Sequence, residues 1–179
     1  MLAGGSSTRM HRDKAFLTRE GSTLLERAEA ALRAGGATPI VVVGGDRARI
    51  EGLGLAHVPD RDPGGGPLGG IITALEHLTT DLVMVLACDH LDPSGVAVRA
   101  VVDALGSADV AVPVSDGEPQ WLHSVWRRQV LPILLAAYER GLRAPRQLAD
   151  ELNMSWAAGG DPSWYRDADR PEDLANGPH

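Results

Sequence analysis

Short apolar runs alternate with longer amphipathic segments along this chain. Three runs rich in aliphatic residues have the composition of strands buried on both faces of a sheet: residues 39–43, 82–88 and 109–114. Three longer segments have the length and the boundary residues of helices: 24–34, 68–78 and 93–105. This alternation predicts an α/β fold of three layers, Rossmann-like, with a mostly parallel central sheet and helices on both of its faces.

Local signals mark individual turns and helix ends. Thr23 and Glu26 have the spacing of a capping box, and a Gly-Gly pair at 35–36 follows the last turn of the first predicted helix. An Asp-Gly pair at 116–117 predicts a tight turn between two strands. We find neither an internal repeat nor a linker long enough to divide the chain, so residues 1–179 are expected to form a single domain.

The first predicted strand is unusually short. Only Met1, Leu2 and Ala3 precede a Gly-Gly turn, whereas a strand usually has about five residues. Either this strand is short or the native start lies upstream of Met1. We favour the upstream start as a hypothesis, and an intact mass showing Met1 as the terminus of the protein from its native source would contradict it.

Composition and charge narrow the class of protein. The 179 residues have a formal net charge of −7 with acids and bases interspersed, so no basic stripe favours nucleic acid. No apolar run reaches the roughly 18 residues of a membrane span, and we expect no signal peptide ahead of the first motif. Cys88 is the one cysteine of the sequence, which fits a reducing compartment. We therefore expect a cytoplasmic protein that binds neither nucleic acid nor membrane.

The segment after the first strand combines glycines with positive charge. Its sequence, LAGGSSTRMHRDK over residues 2–14, places a Gly-Gly turn before small hydroxyl residues and then Arg9 and Lys14. Glycine lets backbone N–H groups approach an anion closely because it has no Cβ, and two cations suit a triphosphate. The order matches neither the P-loop nor the dinucleotide fingerprint. It predicts a phosphate-binding loop at the end of a strand.

This loop resembles the signature of the MobA-like nucleotidyltransferases, usually Leu-Ala-Gly-Gly-x-Ser-x-Arg-Met-Gly-x-Asp-Lys, with His11 at the position of the family's last glycine. The resemblance extends over nearly the whole chain, from residue 2 to residue 174. It implies that Arg9 and Lys14 are catalytic and neutralise the charge that grows on departing pyrophosphate. It also implies nucleotide contacts by the residues of the loop: Leu2, Ala3, Gly4, Gly5 and Lys14.

A segment rich in proline and glycine resembles the base-binding loop of the molybdenum cofactor guanylyltransferases. Asp60 matches the acid that contacts the nucleotide, and the family's Gly-Pro-Leu is matched at Gly66, Pro67 and Leu68. A carboxylate suits guanine, because N1–H and the exocyclic amine both donate hydrogen bonds. All four residues are therefore predicted to bind the nucleotide.

The most hydrophobic run ends in a carboxylate. Residues 83–90 are VMVLACDH, which places Asp89 at the carboxyl edge of the predicted sheet, where open α/β folds bind ligands. The family's Ala-Cys-Asp-Met-Pro is matched at 87–89, whereas His90 and Leu91 depart from it. Nucleotidyl transfer needs a hard divalent cation, and Mg²⁺ takes one or two carboxylates. Asp89 is predicted to be catalytic, to bind the nucleotide and to hold Mg²⁺ as cofactor.

The C-terminal segment resembles the family's closing Asp/Asn-x-Asp/Asn-Thr-Pro-Glu-Asp-Leu. Asp167 and Asp169 alternate, so in an extended segment they point to the same face. Either could be the second metal ligand or a substrate contact. We assign Asp169 to the metal and Asp167 to the substrate.

Residues 116–128 resemble a family segment near the pterin substrate. Gln120 fits that segment, and Trp126 stands at the usual tyrosine. Trp121 and Trp126 either stack on a pterin or belong to the core. Arg143 follows a family Gly-x-Arg on the substrate side. Gln120, Trp126 and Arg143 are thus predicted as substrate contacts.

The resemblance implies a reaction and its partners. The expected activity is Mg²⁺-dependent transfer of GMP from GTP to the phosphate of molybdopterin (the molybdenum cofactor), giving a guanine dinucleotide and pyrophosphate. Transient contact with cofactor-delivery or acceptor proteins would accompany it.

Two other functions stay open. Where relatives often use asparagine to contact guanine, this chain has Gly44, whose nucleotide contact would come from the backbone. A cytidylyltransferase, or another NTP transferase acting on molybdopterin or on a sugar or alcohol phosphate, is one alternative. The departures at His11, His90 and Gly44 leave a degenerate, non-catalytic nucleotide-binding protein as the other.

Overall fold

The computed structural model describes residues 1–3, 14–168 and 173–174. Over these residues the chain forms five α-helices: α1 Leu24–Ala34, α2 Arg47–Gly52, α3 Gly66–His77, α4 Gly95–Ala104 and α5 Leu131–Glu139. It also forms nine strands: β1 Thr18–Arg19, β2 Ser22–Thr23, β3 Val41–Val43, β4 Ala56–Val58, β5 Leu82–Leu86, β6 Val110–Ser115, β7 Glu118–Pro119, β8 His123–Arg127 and β9 Met154–Ala158.

The central sheet is mixed. β3 and β4 are parallel. Leu2 forms parallel bridges to Val43 of β3 and to Ala87, the residue after β5, so the N-terminal segment lies between β3 and β5. β8 then runs antiparallel to both β5 and β6, while β9 is parallel to β6. The predicted α/β class is confirmed, and the antiparallel strands β7 and β8 keep the sheet from being wholly parallel.

Local turn chemistry explains the predicted hairpin. Asp116 and Gly117 have φ of 51° and 81°, and they join β6 to β7 with Ser115 opposite Glu118. Two left-handed residues in a two-residue loop match the twist of the flanking strands. The predicted turn between two strands is confirmed.

The capping box at the start of α1 is also confirmed. The Thr23 hydroxyl accepts a hydrogen bond from the Glu26 amide at 3.1 Å, and the Glu26 carboxylate accepts one from the Thr23 amide at 2.8 Å. These reciprocal bonds satisfy backbone donors that a helix start would otherwise leave unpaired. Gly35 ends the helix, its amide donating to Ala31 O at 2.9 Å.

The two faces of the sheet pack against different helices. On one face, Val43 belongs to the same buried cluster as residues of α3 and Leu134 of α5. On the other, Val42 lies in a cluster with Leu25 of α1 and Val98 of α4. Neighbouring valines of β3 thus point to opposite faces, as a strand requires, and the three predicted layers are present. None of the helices in the described part of the chain is long and apolar enough to cross a membrane.

The N-terminal segment is held on both sides. The Met1 amino group donates to Val41 O at 2.7 Å, and the Leu2 amide donates to Leu86 O at 2.9 Å. The Leu2 carbonyl accepts from the Cys88 amide at 3.2 Å. The start upstream of Met1 stays a prediction.

Candidate active site

Segments that leave the strands at one edge of the sheet carry most of the predicted site. Ala3 follows the N-terminal segment, Gly44 follows β3, Asp60 follows β4 and Asp89 follows β5. Gly44 and Gly45 have φ of 73° and 77°. A Cβ at Gly45 would lie 3.1 Å from Ala3 Cβ, so glycine lets this turn pack against Ala3. The structure therefore brings these four predicted residues to the carboxyl edge.

Lys14 and Asp89, both predicted to be catalytic, face each other across this edge. Lys14 begins a single 3₁₀ turn, Lys14–Phe16, whose Ala15 is buried against α1. Lys14 Nζ lies 3.6 Å from Asp89 Oδ2, and the two side chains are 19% and 27% exposed. The ammonium and the carboxylate therefore form a partly exposed ion pair at this edge of the sheet.

The C-terminal segment meets the end of β5 at the same place. The Ala168 amide donates to Asp89 O at 2.8 Å, and His90 and Asp167 form an antiparallel bridge. Burial raises the pKa of the Asp89 carboxyl, and the negative charge of Asp167 raises it further, while His90 and Lys14 lower it. Two carboxylates thus lie close enough to repel each other, which is the arrangement that favours a cation.

A cavity of about 250 Å³ opens beside these carboxylates. Asp89 and Asp167 line it together with Gln120 and Trp121, among others. Gln120 Nε2 donates to Glu118 O at 3.1 Å, which orients the amide within the β7–β8 connection. Gln120 and Asp167, predicted as substrate contacts, therefore share one cavity with the predicted catalytic carboxylate.

The prediction for Trp126 is wrong. Its side chain is fully buried, and Nε1 donates to Ser124 Oγ at 2.7 Å inside the core. The register of β8 against β5 pairs it with Val83, which sets its ring in the sheet interior. The tryptophan at the cavity is Trp121, whose ring meets that of the half-exposed Trp156 edge to face at 5.8 Å.

The rings of two histidines and one tyrosine form a buried column that the sequence did not predict, and both histidines line the cavity. The rings of His90 and His123 are 5.9 Å apart, and that of His123 meets Tyr165 at 4.9 Å. Burial raises the pKa of Tyr165 to about 12, and its hydroxyl donates to Gly159 O at 2.6 Å. The departure of His90 from the family motif was the one signal of this column in the sequence.

The loop from Asp60 to Pro67 is fixed by contacts with α3. Thr73 Oγ1 donates to Gly69 O at 2.9 Å and lies 3.4 Å from Asp60 Oδ1, and the Asp62 amide donates to Asp60 Oδ1 at 3.3 Å. These contacts hold the Asp60 carboxylate against the second turn of α3. Asp60, the acid predicted to contact the base, therefore lies in a loop whose conformation is fixed by these contacts.

Arg143 and Tyr138 brace this loop from the side of α5. The Tyr138 hydroxyl donates to Asp62 Oδ2 and to Gly65 O, the latter at 3.1 Å. The Arg143 guanidinium stacks on the Tyr138 ring at 3.9 Å and donates to Tyr138 O at 2.8 Å. Arg143, predicted as a substrate contact, thus supports the loop from Asp60 to Pro67 and is not among the residues that line the cavity.

Leu2 and Leu68, both predicted to contact the nucleotide, have buried side chains. The Leu68 side chain is fully buried, and its amide donates to Arg143 O at 3.0 Å. Leu2 is buried too, with its backbone paired on both sides. Because both side chains are buried, a nucleotide contact at Leu2 or Leu68 would come from the backbone, and both contacts stay predictions.

Gly66 should tolerate substitution much less well than Gly64, two residues earlier in this loop. Its φ is 77°, and a Cβ there would lie 2.8 Å from Arg143 O. Gly64 also has a left-handed φ, 89°, but nothing lies within 4 Å of its Cβ position. We expect Gly66→Ala to lower the free energy of unfolding by about 3 kcal/mol, since strain and a clash add. Gly64→Ala, which has strain alone, should lower it by about 1 kcal/mol. Urea denaturation of both variants would measure this, and equal losses would contradict the clash.

Four predicted residues lie outside the described part of the chain: Gly4, Gly5, Arg9 and Asp169. Among the residues that are described, no group of three or more histidine, cysteine, aspartate or glutamate side chains could hold a metal ion.

Comparison with known proteins identifies relatives. The family model of the MobA-like NTP transferase domain matches residues 1–154. A probable molybdenum cofactor guanylyltransferase of Bacillus subtilis strain 168 is 36% identical over 138 residues, covering 75% of this chain and 68% of that protein. One from Methanothermobacter thermautotrophicus is 31% identical over 194 residues, covering 97% and 95%.

Solved structures share the fold. The molybdopterin-guanine dinucleotide biosynthesis protein A of Archaeoglobus fulgidus superimposes with a TM-score of 0.76 at 22% identity, covering 97% of this chain and 93% of its own. The 2-C-methyl-D-erythritol 4-phosphate cytidylyltransferase of Thermus thermophilus gives 0.72, with the same identity and coverage. At this identity the likeness concerns the fold and does not decide between bases.

Proposed function

Since this chain belongs to the family of MobA-like NTP transferase domains, we propose that it transfers GMP from GTP to the phosphate of molybdopterin and releases pyrophosphate. Its relatives mark it as a nucleotidyltransferase, and those cited above are named guanylyltransferases. The observation that carries the proposal is the Lys14–Asp89 pair at the carboxyl edge of the sheet, beside a cavity with room for an acceptor.

Lys14 suits phosphoryl-type chemistry because its charge is held in place before substrate binds. The Asp89 carboxylate fixes the ammonium at 3.6 Å. A positioned cation stabilises charge that grows on a leaving group, here pyrophosphate. Arg9, close to Lys14 in sequence, is proposed to do the same. No protein nucleophile is required, because the acceptor phosphate attacks the α-phosphorus in line as the α–β bridging bond breaks.

Asp89 and Asp167 fit a hard divalent cation. Both border the cavity, and the charge of Asp167 contributes to the raised pKa of Asp89. Mg²⁺ prefers one or two carboxylates together with phosphate oxygens and water, so these two side chains would hold it. When bound, the cation would neutralise charge on the phosphates of the nucleotide. Asp169 stays a proposed ligand by its place in the sequence motif.

The acceptor is proposed to occupy the cavity beside Gln120 and Trp121. A pterin is a planar heteroaromatic ring, and the face or edge of an indole packs well against such a ring. Gln120 can both donate and accept hydrogen bonds with the polar edge of the pterin. This assignment gives Trp121 the stacking role that its buried neighbour Trp126 cannot perform.

Thermal unfolding with each of GTP, CTP, ATP and UTP, with and without Mg²⁺, tests the nucleotide part of this function. At about 100 times its Kd a ligand adds about 2.7 kcal/mol of stability. We expect a Mg²⁺-dependent shift with GTP, followed by pyrophosphate release when molybdopterin is added. A shift with CTP alone would indicate a cytidylyltransferase. No shift with any nucleotide would indicate a degenerate protein.

Asp60 is expected to set the base preference. Asp60→Asn retains the size of the side chain but removes the charge that accepts from guanine N1–H, so GTP affinity should fall about tenfold with little change for CTP. Asp103→Asn, at an exposed position of α4, removes the same charge and should leave both affinities unchanged. Calorimetric titration would measure them. Equal GTP affinity in the wild type and Asp60→Asn would contradict the assignment.

A further inference from the structure

His90 stands where the C-terminal segment joins the active-site edge. Its backbone bridges Asp167, and the next residue, Leu91, donates from its amide to Arg166 O at 2.8 Å. On the other side, the Ala168 amide donates to Asp89 O at the same distance. The backbone thus brings the segment to the cavity, but backbone bonds alone leave the Asp167 side chain free to rotate about χ1.

The His90 side chain reaches that carboxylate. Its Nδ1 lies 2.8 Å from Asp167 Oδ1, with the imidazole 4% exposed and the carboxylate 49% exposed. The ring cannot swing away, because His123 packs beside it at 5.9 Å and Tyr165 packs on His123. The Tyr165 hydroxyl is itself tied to Gly159 O. A rigid buried ring therefore faces one oxygen of a half-exposed carboxylate.

We propose that His90 is a positioning residue that orients the Asp167 carboxylate toward Asp89, so that the two acids together form the divalent-cation site. This inference rests on the proposed function. Carboxylates that ligate a metal are commonly held by a second group, and loss of that group typically weakens metal affinity 10–100-fold. One Asp167 oxygen contacts His90, which leaves the other for the cation.

Binding of Mn²⁺ to the nucleotide-free protein, measured from the electron paramagnetic resonance signal of free Mn²⁺, tests the proposal without requiring turnover. His90→Leu keeps much of the volume and removes the ring nitrogen. His90→Asn keeps a donor near the position of Nδ1. We expect at least about a tenfold weaker affinity for His90→Leu and near wild-type affinity for His90→Asn.

A double-mutant cycle separates positioning from general damage to the fold. If His90 acts through Asp167, Asp167→Ala should weaken Mn²⁺ binding at least as much as His90→Leu, and the double variant should lose nothing further than Asp167→Ala. Additive losses would overturn the proposal and indicate a structural role for His90. If His90→Leu fails to fold, His90→Phe, which keeps a ring beside His123 but has no ring nitrogen, takes its place in the cycle.

The outcomes also distinguish this inference from the proposed function. Wild-type affinity in His90→Leu, with binding lost in Asp89→Asn, would overturn the role of His90 and leave the cation site intact. A wild-type protein that binds no Mn²⁺ would overturn both the cation site and the positioning role, whereas the GTP-dependent thermal shift would still test nucleotide binding on its own.

Discussion

Asp89→Asn is expected to lower kcat at least about a hundredfold while the protein stays folded. The substitution keeps the size of the side chain and removes the charge that faces Lys14 at 3.6 Å and that would hold the cation. Pyrophosphate release with GTP and molybdopterin would measure the loss. Wild-type kcat in this variant would refute the catalytic role of Asp89.

Asp89→Asn is expected to be at least as stable as the wild type, although it loses activity. The pKa of Asp89 is raised by burial and by Asp167, which means that the ionised carboxylate is disfavoured in the folded state at neutral pH. Removing that charge should leave the free energy of unfolding unchanged or higher. Such a gain on loss of function is typical of residues held in place for chemistry.

Asp92→Asn is the matched control for this variant. Asp92 lies three residues further along and pairs with Arg19 Nη2 at 3.1 Å and Arg27 Nη2 at 2.9 Å. Arg19 is 3% exposed, so weakening its ion pair should lower the free energy of unfolding by about 3 kcal/mol. Its kcat should stay near that of the wild type. Loss of the Asp89 charge is thus expected to lower kcat, and loss of the Asp92 charge is expected to lower the free energy of unfolding.

Features set by neighbouring residues in the chain were predicted from the sequence. The capping box of Thr23 and Glu26 and the turn at Asp116 each depend on residues within one turn of each other. Helix α3 begins two residues before its predicted start, because Pro67 fits the first turn of a helix. The motif positions Lys14 and Asp89 also meet, since both follow strands that end at one edge.

Features set by contacts between distant segments were not predicted. Whether Trp126 faces the core or the cavity depends on the register of β8 against β5, which a single strand does not reveal. Tyr138 and Asp62 are 76 residues apart in the sequence. Their hydrogen bond, which supports the loop from Asp60 to Pro67, cannot be predicted before the position of α5 is known. His90 and Asp167 are joined in the same way.

His123 is expected to make the protein sensitive to acid. The residue is fully buried, and burial, with a smaller contribution from the nearby His90, lowers its pKa from 6.5 to about 3. The Ala97 backbone partly offsets this shift, and Tyr165 packs against the other side of the ring. In the unfolded chain the imidazole takes up a proton near pH 6.5, whereas in the folded protein it stays neutral down to about pH 3. Protonation therefore favours the unfolded state, and the stability that His123 contributes is complete above pH 6.5 and falls as the pH drops from there toward 3.

Replacing this histidine should flatten that dependence. His123→Gln cannot titrate, so the difference in unfolding free energy between the wild type and the variant should change by about 3 kcal/mol in favour of the variant between pH 7.5 and pH 4.5. Because only this difference is compared, the acid titration of the carboxylates cancels. Denaturant unfolding of the wild type and His123→Gln at several pH values would measure this difference, and parallel curves would show that the pKa of His123 is the same in the folded and the unfolded protein.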